Sequence, residues 1–444
     1  MLKMDDIIYD SDRMLFYSSH LDYKSINIIN SIFPSTDTSS NIIRQLDTYD
    51  SKQVILKDGA ISQIGICLTE NCNLRCKYCF NSSTNGHTDY LTLPIIETFI
   101  TDMIKKWVIR QSVLDIRDVL KISFTGGGEP TYDWDFFVSV IDLIEQKCKD
   151  YDVEYSLSLT TNGTLLEEHA KYIGEHFSSV MVSYDGCPKM QRKNRGSADG
   201  TDYLPSIEKA IQILSTYPCR LTIRSTVFFD DLHALCDMAD YLYSHFTISE
   251  WGVMPVIPLG RGKSALTSST DYSDVDFLGT FIKLKKYVSE KYSALVSSPL
   301  FSSTETLLPC GGITILGNGV WLLPDGKLAT CVEECEGKPY IGHVDESGIH
   351  YYEVCSDIFL ELTQIKMKEC KNCIAYRFCK GGCPMKHIMY KEQKRENWDC
   401  MTTIQYWEYV FSEILAGREC FNCRGIPHEI DGVGTVIKLE VQTE

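Results

Sequence analysis

Long hydrophobic runs are missing from this chain of 444 residues. No apolar stretch approaches the roughly 20 residues that a helix needs to cross a bilayer, so we expect no membrane partner. The first ten residues, MLKMDDIIYD, are too acidic for a secretory signal peptide. Basic residues are outnumbered by acidic ones, 43 to 60, which gives a formal net charge of −17. No Lys/Arg-rich stripe with interleaved aromatic residues occurs. We therefore expect no nucleic acid as partner.

Cysteine, by contrast, is abundant, with 19 residues. These residues fall into short clusters with ligand-like spacing, which favours metal binding in the cytoplasm over a secreted disulfide framework. The length allows two or three domains, and a hydrophobic content of 44% is sufficient for ordinary globular cores.

Between about Ser62 and Gly262, apolar β-branched runs alternate with segments of helical periodicity, which is typical of βα units around a parallel sheet. Six units can be counted, so the sequence predicts an α/β fold with a partial (β/α)6 barrel. The site of such a barrel lies at the carboxyl ends of its strands. The predicted strands are Gln63–Cys67, Lys121–Thr125, Glu154–Thr161, Ser179–Tyr184, Arg220–Val227 and Glu250–Ile257.

A group of three cysteines, Cys72, Cys76 and Cys79, follows the first predicted strand at the spacing C-x-x-x-C-x-x-C. Three thiolates can hold three irons of a cubane cluster and leave the fourth iron open, whereas a structural zinc site needs a fourth protein ligand. Simple core cysteines are the alternative interpretation.

The stretch CNLRCKYCF, with Tyr78 just before the last cysteine, resembles the signature of the radical S-adenosylmethionine (radical SAM) enzymes. The resemblance implies a [4Fe–4S] cluster on Cys72, Cys76 and Cys79, which would be the catalytic centre. It also implies that the open iron binds the methionine part of S-adenosylmethionine (SAM), that Tyr78 contributes to the cofactor site, and that cleavage gives a 5′-deoxyadenosyl radical.

A glycine run with a carboxylate, Gly126-Gly127-Gly128-Glu129, follows the second predicted strand. Glycine lets backbone approach a ligand closely, and a carboxylate can meet an ammonium group. The run resembles the Gly-Gly-Glu motif of radical SAM enzymes, which contacts the methionine amino group. This copy has one extra glycine, so the sequence leaves open whether Gly126 or Gly127 begins the contact.

Three further residues are candidates for cofactor binding: Asn162, Ser183 and Arg224. The first lies in Thr161-Asn162-Gly163-Thr164, which could also be a simple turn with Thr164 capping the next helix. The resemblance implies that Ser183 hydrogen-bonds the polar groups of the cofactor. Arg224 could pair with the methionine carboxylate or form a structural salt bridge.

A second cysteine group lies near the carboxyl end and has the spacing C-x-x-C-x5-C-x3-C, with further cysteines on either side. With Gly326 in a hairpin-like segment, the pattern resembles a SPASM domain, which implies two auxiliary iron–sulfur clusters and hence three [4Fe–4S] clusters in all. A pair of zinc knuckles is the alternative. The cysteines concerned are Cys310, Cys331, Cys370, Cys373, Cys379, Cys383 and Cys400.

The resemblance implies two ligand sets for the auxiliary clusters. One set, Cys370, Cys373, Cys379 and Cys400, is closed. The other consists of Cys310, Cys331 and Cys383, and Leu316 stands where related chains have a fourth cysteine. Either Cys335 supplies that ligand or the iron is open to water or substrate; we favour the open iron. The pair Cys420 and Cys423 could be redox-active, a metal clip or surface thiols.

The sequence predicts five segments. Residues 1–61 form either a capping arm or a remnant of a peptide-binding domain, because segments such as Met14–Ser19 resemble the N-terminal strands of peptide maturases. A closing helix is expected over Ile404–Leu415 and a late strand over Val433–Val441. The other segments are the barrel (62–265), a linker helix (266–304), the SPASM domain (305–403) and a carboxyl-terminal helix and tail (404–444).

These resemblances imply an enzyme that abstracts hydrogen from a ribosomally synthesised precursor peptide and closes a thioether or carbon–carbon crosslink. They also imply an electron donor such as a flavodoxin or ferredoxin. An anaerobic sulfatase-maturating enzyme is one alternative, although a carboxylate follows the auxiliary-cluster cysteine in that family and Val332 stands here. A non-catalytic cluster carrier is the other, but a carrier needs no cofactor pocket.

Overall fold

The computed structural model of the chain describes residues in two compact units, Ser51–Asp271 with Gly311–Leu360, and Met1–Asp50 with Tyr272–Cys310 and Glu361–Glu444. The described residues are 8–10, 15–17, 61, 63–87, 90–114, 117–266, 277–301, 319–329, 331–332, 340–352, 370, 373–379, 382–383, 386–387, 389–390 and 398–415.

In chain order, the described strands are β1 (Ile8–Asp10), β2 (Leu15–Tyr17), β3 (Gln63–Ile66), β4 (Leu120–Phe124), β5 (Tyr155–Thr161), β6 (Ser179–Ser183), β7 (Arg220–Val227), β8 (Glu250–Pro255), β9 (Val296–Ser297), β10 (Gly319–Leu322), β11 (Lys327–Ala329), β12 (Tyr340–Asp345) and β13 (Gly348–Tyr351). The described α-helices are α1 (Leu93–Leu114), α2 (Trp134–Asp150), α3 (Ala170–His176), α4 (Pro188–Asn194), α5 (Leu204–Leu214), α6 (Leu235–His245), α7 (Arg261–Leu266), α8 (Phe277–Tyr292), α9 (Tyr376–Cys379) and α10 (Trp398–Leu415). Short 3-10 helices span Phe229–Ala234 and Pro299–Phe301.

The first unit is a parallel barrel sheet in which β3 to β8 lie side by side in chain order. At least one helix follows each strand, so the predicted partial (β/α)6 barrel is confirmed. The predicted strand bounds agree with the structure to within two residues, because β-branched runs of this length suit a sheet covered by helices.

Helices cover the outer face of this sheet with apolar stripes. In α2 the helical spacing predicts an apolar stripe of Phe136, Phe137, Val140, Ile141 and Ile144. The last four are buried, whereas Phe136 is only partly buried. The Phe137 ring packs edge-on against Phe124 of β4 with 5.2 Å between centroids. The outward side chains of the strands therefore form the hydrophobic core.

The inner face is polar, because the alternate positions of the strands carry small or hydrophilic residues. In one row of the register, Gly65, Ser123 and Ser158 are neighbours on β3, β4 and β5. The hydroxyls of Ser123 and Ser158 hydrogen-bond at 2.6 Å. An inner face of this kind can receive a polar ligand.

Beyond β3 the sheet continues with β10, which runs parallel to β3, and then with the antiparallel strands β11, β12 and β13. Trp321 of β10 covers Gly65, where a Cβ atom would lie only 1.8 Å from the indole ring. The hairpin-like segment predicted around Gly326 is β10–β11, with Gly326 at φ +78° in its turn.

In the second unit, aromatic residues of α8 and α10 pack with Phe301. The rings of Phe277 and Phe281 are stacked at 5.9 Å, and Phe301 stacks on Tyr406 at 4.8 Å. The predicted closing helix is present and begins earlier than expected, at Trp398. The strand predicted within Met14–Ser19 is β2, which pairs with β1.

Some predictions fall on residues outside the described ranges, namely those on Cys310, Cys335, Leu316, Cys420, Cys423 and the strand Val433–Val441. None of the helices in the described part of the chain combines the length and the apolar character needed to cross a bilayer.

Candidate active site

The three-cysteine loop follows β3 at the carboxyl edge of the barrel sheet and is held by backbone contacts. The Cys72 amide donates to the Thr84 carbonyl at 2.8 Å, and the Cys79 amide donates to the Cys76 carbonyl at 3.2 Å. Arg261, at the start of α7, donates from Nε to the Cys76 carbonyl at 2.8 Å and from Nη1 to the Ser83 carbonyl at 3.0 Å. A residue after the last barrel strand thus fixes the loop that follows the first.

Of the three cysteines of this loop, Cys76 is buried and Cys72 and Cys79 are partly buried. Burial raises the pKa of Cys72 to about 12, and the charges of Glu129, Cys76 and Cys79 raise it further. Burial also raises the pKa of Cys76, against the opposing charge of Arg195. Cys72 and Cys76 are therefore unfavourable as isolated thiolates, and a cationic iron cluster would stabilise them in that form.

The glycine run after β4 lies directly on the chain that leads into the cysteine loop. The Gly128 amide donates to the Thr69 carbonyl at 2.6 Å, and the Glu129 amide donates to the Asn71 carbonyl at 2.8 Å. A Cβ atom on Gly128 would lie 1.9 Å from the Asn71 carbonyl oxygen, and one on Gly127 would lie 2.5 Å from that of Thr69. Close approach of two backbones therefore requires glycine at both positions.

The extra glycine of the run has a different neighbour. Gly126 has φ +81°, and a Cβ atom there would lie 2.8 Å from Cβ of Val332 and 2.9 Å from the Cys67 sulfur. It therefore makes room for the segment after β11, whereas Gly127 and Gly128 face the cysteine loop.

Glu129 is buried at the centre of the site, and both carboxylate oxygens accept hydrogen bonds. Oε1 accepts from the hydroxyls of Thr131 at 2.8 Å and Thr161 at 2.7 Å, and weakly from the Thr131 amide. Oε2 accepts from the Asn162 amide at 2.7 Å. Burial raises the pKa of Glu129, and these donors oppose the shift. Since a carboxylate offers about four lone-pair sites, the spare acceptor capacity lies on Oε2.

Asn162 connects the end of β5 with the cysteine loop. Its Nδ2 donates to Asn73 Oδ1 at 3.0 Å and lies 3.8 Å from the Cys72 sulfur. Its Oδ1 accepts from the Thr164 amide and hydroxyl. Thr164 does not cap the next helix, because α3 begins at Ala170 with His169 in the capping position.

Ser183 and Arg224 lie opposite each other on neighbouring strands, at the end of β6 and within β7. Arg224 in turn pairs in register with Gly252 of β8, where a Cβ atom would lie 3.1 Å from Arg224 Nε. The glycine leaves room for the guanidinium on this row of the sheet.

A buried network beneath the cysteine loop involves residues that sequence analysis missed. The Tyr78 hydroxyl lies 2.7 Å from both carboxylate oxygens of Asp185 and accepts from Arg195 Nη1 at 3.0 Å. Burial raises the pKa of Asp185, and Arg195 opposes that shift. The only signal in the sequence was the segment Ser183-Tyr184-Asp185-Gly186, of which Ser183 alone was selected.

In the second unit, a short chain segment carries Cys373 and Cys379. Burial raises the pKa of Cys373, and the nearby Cys400 of α10 raises it further. The Cys373 amide donates to the Cys370 carbonyl at 2.9 Å. Gly382, at φ +82°, separates Cys379 from His387, since a Cβ atom there would lie 3.7 Å from the Cys379 sulfur. These cysteines are thus brought into one neighbourhood.

Cys331 follows β11 in the first unit, and Cys383 lies in the second. Both are partly buried.

Comparison with known proteins identifies the barrel. Residues 66–241 match the sequence model of the Radical SAM superfamily, so this part of the chain is a radical SAM domain and the chain is an enzyme. That domain implies SAM and a [4Fe–4S] cluster as cofactors, and the three-thiol set with buried Glu129 beside it fits both groups.

Individual relatives span most of the chain. It is 22% identical over 364 residues to a cysteine-type anaerobic sulfatase-maturating enzyme of Clostridium perfringens, covering 78% of this chain and 95% of the relative. The structure of native anSMEcpe with bound AdoMet and Kp18Cys peptide has a TM-score of 0.61 at 21% identity and covers 80% of this chain and 98% of that one.

Streptococcus suis SuiB is also similar in fold. Its S-adenosylmethionine complex has a TM-score of 0.53 at 14% identity and covers 89% of this chain and 98% of SuiB. Its complex with precursor peptide SuiA has a TM-score of 0.50 at 13% identity and covers 88% and 97%.

Proposed function

We propose that the chain is a radical SAM maturase that modifies a ribosomally synthesised peptide and closes a thioether or carbon–carbon crosslink. The observation that carries the proposal is the convergence of the cysteine loop, the glycine run and buried Glu129 at the carboxyl edge of a barrel whose inner face is polar. Relatives of the same fold bind peptides, namely anSMEcpe with Kp18Cys and SuiB with SuiA.

Different residues of this chain would bind the cluster and SAM. Cys72, Cys76 and Cys79 would ligate the cluster, and Oε2 of Glu129 would accept from the methionine ammonium. When bound, the cluster and SAM together supply a 5′-deoxyadenosyl radical that takes a hydrogen atom from the substrate. Ser183 would hydrogen-bond the polar part of SAM, Arg224 would pair with its carboxylate, and Asn162 would position the loop through Asn73.

The residue beside the glycine run favours crosslinking over formylglycine formation. Val332 directly follows Cys331 and packs against Gly126. An apolar side chain at this position cannot take a proton from a substrate thiol or hydroxyl, as a carboxylate could. Sulfatase maturation remains the second candidate, because the match to the C. perfringens enzyme covers 95% of that enzyme.

We also propose that residues 305–403 form a SPASM domain with two auxiliary [4Fe–4S] clusters. The proximity of Cys373 and Cys400 supports the set Cys370, Cys373, Cys379 and Cys400. The second set would be Cys310, Cys331 and Cys383, with Cys335 outside it and one iron open to a substrate thiolate. The barrel, 62–265, would be joined to it by 266–304 and flanked by 1–61 and 404–444.

The proposed chemistry needs one electron to start each turnover and removes two electrons from the peptide in forming the crosslink. We infer a cytoplasmic enzyme that receives electrons from a flavodoxin or ferredoxin, because low-potential clusters and free thiols persist in a reducing compartment.

The test is anaerobic incubation of the reconstituted enzyme with SAM, a reductant and cysteine-bearing peptides encoded next to it, followed by mass spectrometry. Crosslinking lowers the peptide mass by two hydrogen atoms. For a thioether, one of these comes from the thiol, so the cysteine no longer reacts with thiol reagents. Formylglycine formation instead replaces the sulfur with an aldehyde that reacts with a hydrazine probe. A peptide carrying the aldehyde would support the second candidate, and release of 5′-deoxyadenosine must accompany either product.

A further inference from the structure

The hairpin formed by β12 and β13 brings together three side chains that play no part in the proposed reaction. Side chains two residues apart on a strand share a face, so His343 and Asp345 of β12 lie on one side of the hairpin. The register places His350 of β13 directly opposite His343. One potential ligand atom from each of the three residues lies within 4.8 Å of the others.

The two imidazoles and the carboxylate are already arranged as a group. The rings of His343 and His350 are stacked, with 4.7 Å between centroids. His350 Nε2 lies 3.2 Å from one oxygen of Asp345 and 3.3 Å from the other. The Ser347 amide also donates to Asp345 Oδ1 at 2.8 Å, which holds the side chain of Asp345 on this side of the hairpin.

Hydrogen bonding within the turn accounts for the positions of Asp345 and His350 but not for that of His343. The Ser347 hydroxyl donates to Asp345 at 2.6 Å and lies 3.2 Å from His350 Nε2, as in an ordinary polar turn. His343 is different, because its Nδ1 is shielded from solvent and has no hydrogen-bond partner within the described ranges. A buried ring nitrogen without a partner costs free energy that binding by the imidazole can offset.

We propose that His343, Asp345 and His350 form a site for a divalent transition metal ion, with Zn²⁺ as the expected occupant. Imidazole suits zinc, and three protein ligands with water in the fourth position complete a tetrahedron. A neutral His350 would ligate through Nε2 and carry its ring hydrogen on Nδ1. The ion would join β12 to β13 beside the turn that connects them.

The experiment uses the full chain with its iron–sulfur clusters assembled, so that the cluster cysteines are occupied. The anaerobic protein is dialysed against Zn²⁺, and bound zinc and iron are counted together. His350 is exposed, so His350→Ala tests ligation with little risk to folding. Ser347→Ala is the matched control, because it removes the hydroxyl contacts to Asp345 and His350 and leaves all three ligands and the amide hydrogen bond to Asp345.

We expect about one zinc per chain in the wild type and in Ser347→Ala, and loss of that equivalent in His350→Ala and His343→Ala at unchanged iron content. X-ray absorption at the zinc edge should show nitrogen and oxygen ligands at about 2.0–2.1 Å. Equal zinc content in the wild type and both histidine variants would overturn the proposal. A sulfur shell at about 2.3 Å would also overturn it, since the zinc would then lie on thiolates.

Discussion

At the scale of single residues, the charge of Glu129 matters more to function than its shape. Glu129→Gln keeps the side-chain size, and the Thr131 and Thr161 hydroxyls can reverse to accept from the new amide. A charge-assisted contact to an ammonium contributes about 1.5–3 kcal/mol, so we expect SAM to bind about ten- to a hundredfold more weakly. Isothermal titration of the cluster-loaded protein measures this change.

The control for Glu129 is Glu250→Gln. Glu250 is also a buried glutamate of the barrel, but it lies at the amino end of β8 and pairs with Arg220. The control should bind SAM as the wild type does. Equal affinities for Glu129→Gln and the wild type would show that Glu129 only supports the surrounding loops.

Tyr78 is predicted to stabilise the cysteine loop through its hydroxyl, not to bind SAM with it. In Tyr78→Phe, Asp185 and Arg195 lose the hydroxyl that bridges them, which should cost about 1–3 kcal/mol of stability. Thermal unfolding of the loaded protein should shift downward while SAM affinity stays unchanged. Tyr172→Phe is the control, because the buried Tyr172 hydroxyl has no hydrogen-bond partner within the described ranges. Weaker SAM binding at unchanged stability would assign the Tyr78 hydroxyl to the cofactor.

At the scale of elements, the contact between the glycine run and the cysteine loop should not tolerate a methyl group. Gly128→Ala places a Cβ atom against the Asn71 backbone, which cannot rotate away as a side chain could. We expect iron in the first cluster and SAM cleavage to fall together. Gly196→Ala is the control, since a Cβ atom there would meet nothing within 4 Å although Gly196 accepts from the Arg75 amide. Full activity in Gly128→Ala would mean that the two segments can separate without loss.

The elements were predictable from the sequence where local periodicity determines them. The six barrel strands and the α2 stripe follow from the runs of β-branched and apolar residues, and the cysteine loop from its spacing. The pairing of β10 with β3 was not predictable, because Trp321 covers Gly65 from a distant part of the sequence and no local pattern encodes a parallel partner. Arg195 and Arg261 were missed for the same reason, since each meets the loop only through tertiary contacts. His343, Asp345 and His350 become a group only when the hairpin register is known.

At the scale of the whole molecule, each cluster should contribute an equal share of the iron bound to the chain. Three cubane clusters correspond to about 12 irons per chain. Replacing Cys72, Cys76 and Cys79 together by Ala should remove about a third of the iron and abolish release of 5′-deoxyadenosine from SAM. A triple variant at Cys148, Cys219 and Cys236 also removes three thiols and should keep all the iron. About 4 irons in the wild type would exclude the auxiliary clusters and leave the radical cluster unaffected.

The fourth ligand of the second auxiliary cluster can be tested in the same way. We expect Cys335→Ala to keep the full iron content and activity, because the open iron is proposed to meet a substrate thiolate. Adding a cysteine-bearing peptide should then perturb the absorption spectrum of the cluster. Loss of about four irons in Cys335→Ala would make Cys335 a ligand and the cluster an electron relay.

The parallel pairing of β10 with β3 also has a consequence for the nascent chain. On the ribosome, β3 and the strands after it are synthesised long before β10. Until β10 pairs with β3, the backbone groups on that edge of β3 lack this partner and Trp321 does not cover Gly65. Such an edge can pair with other chains until the partner arrives. The extended sheet can therefore be completed only late in translation, and a chain stopped before Gly319 should aggregate even though it contains all six barrel strands.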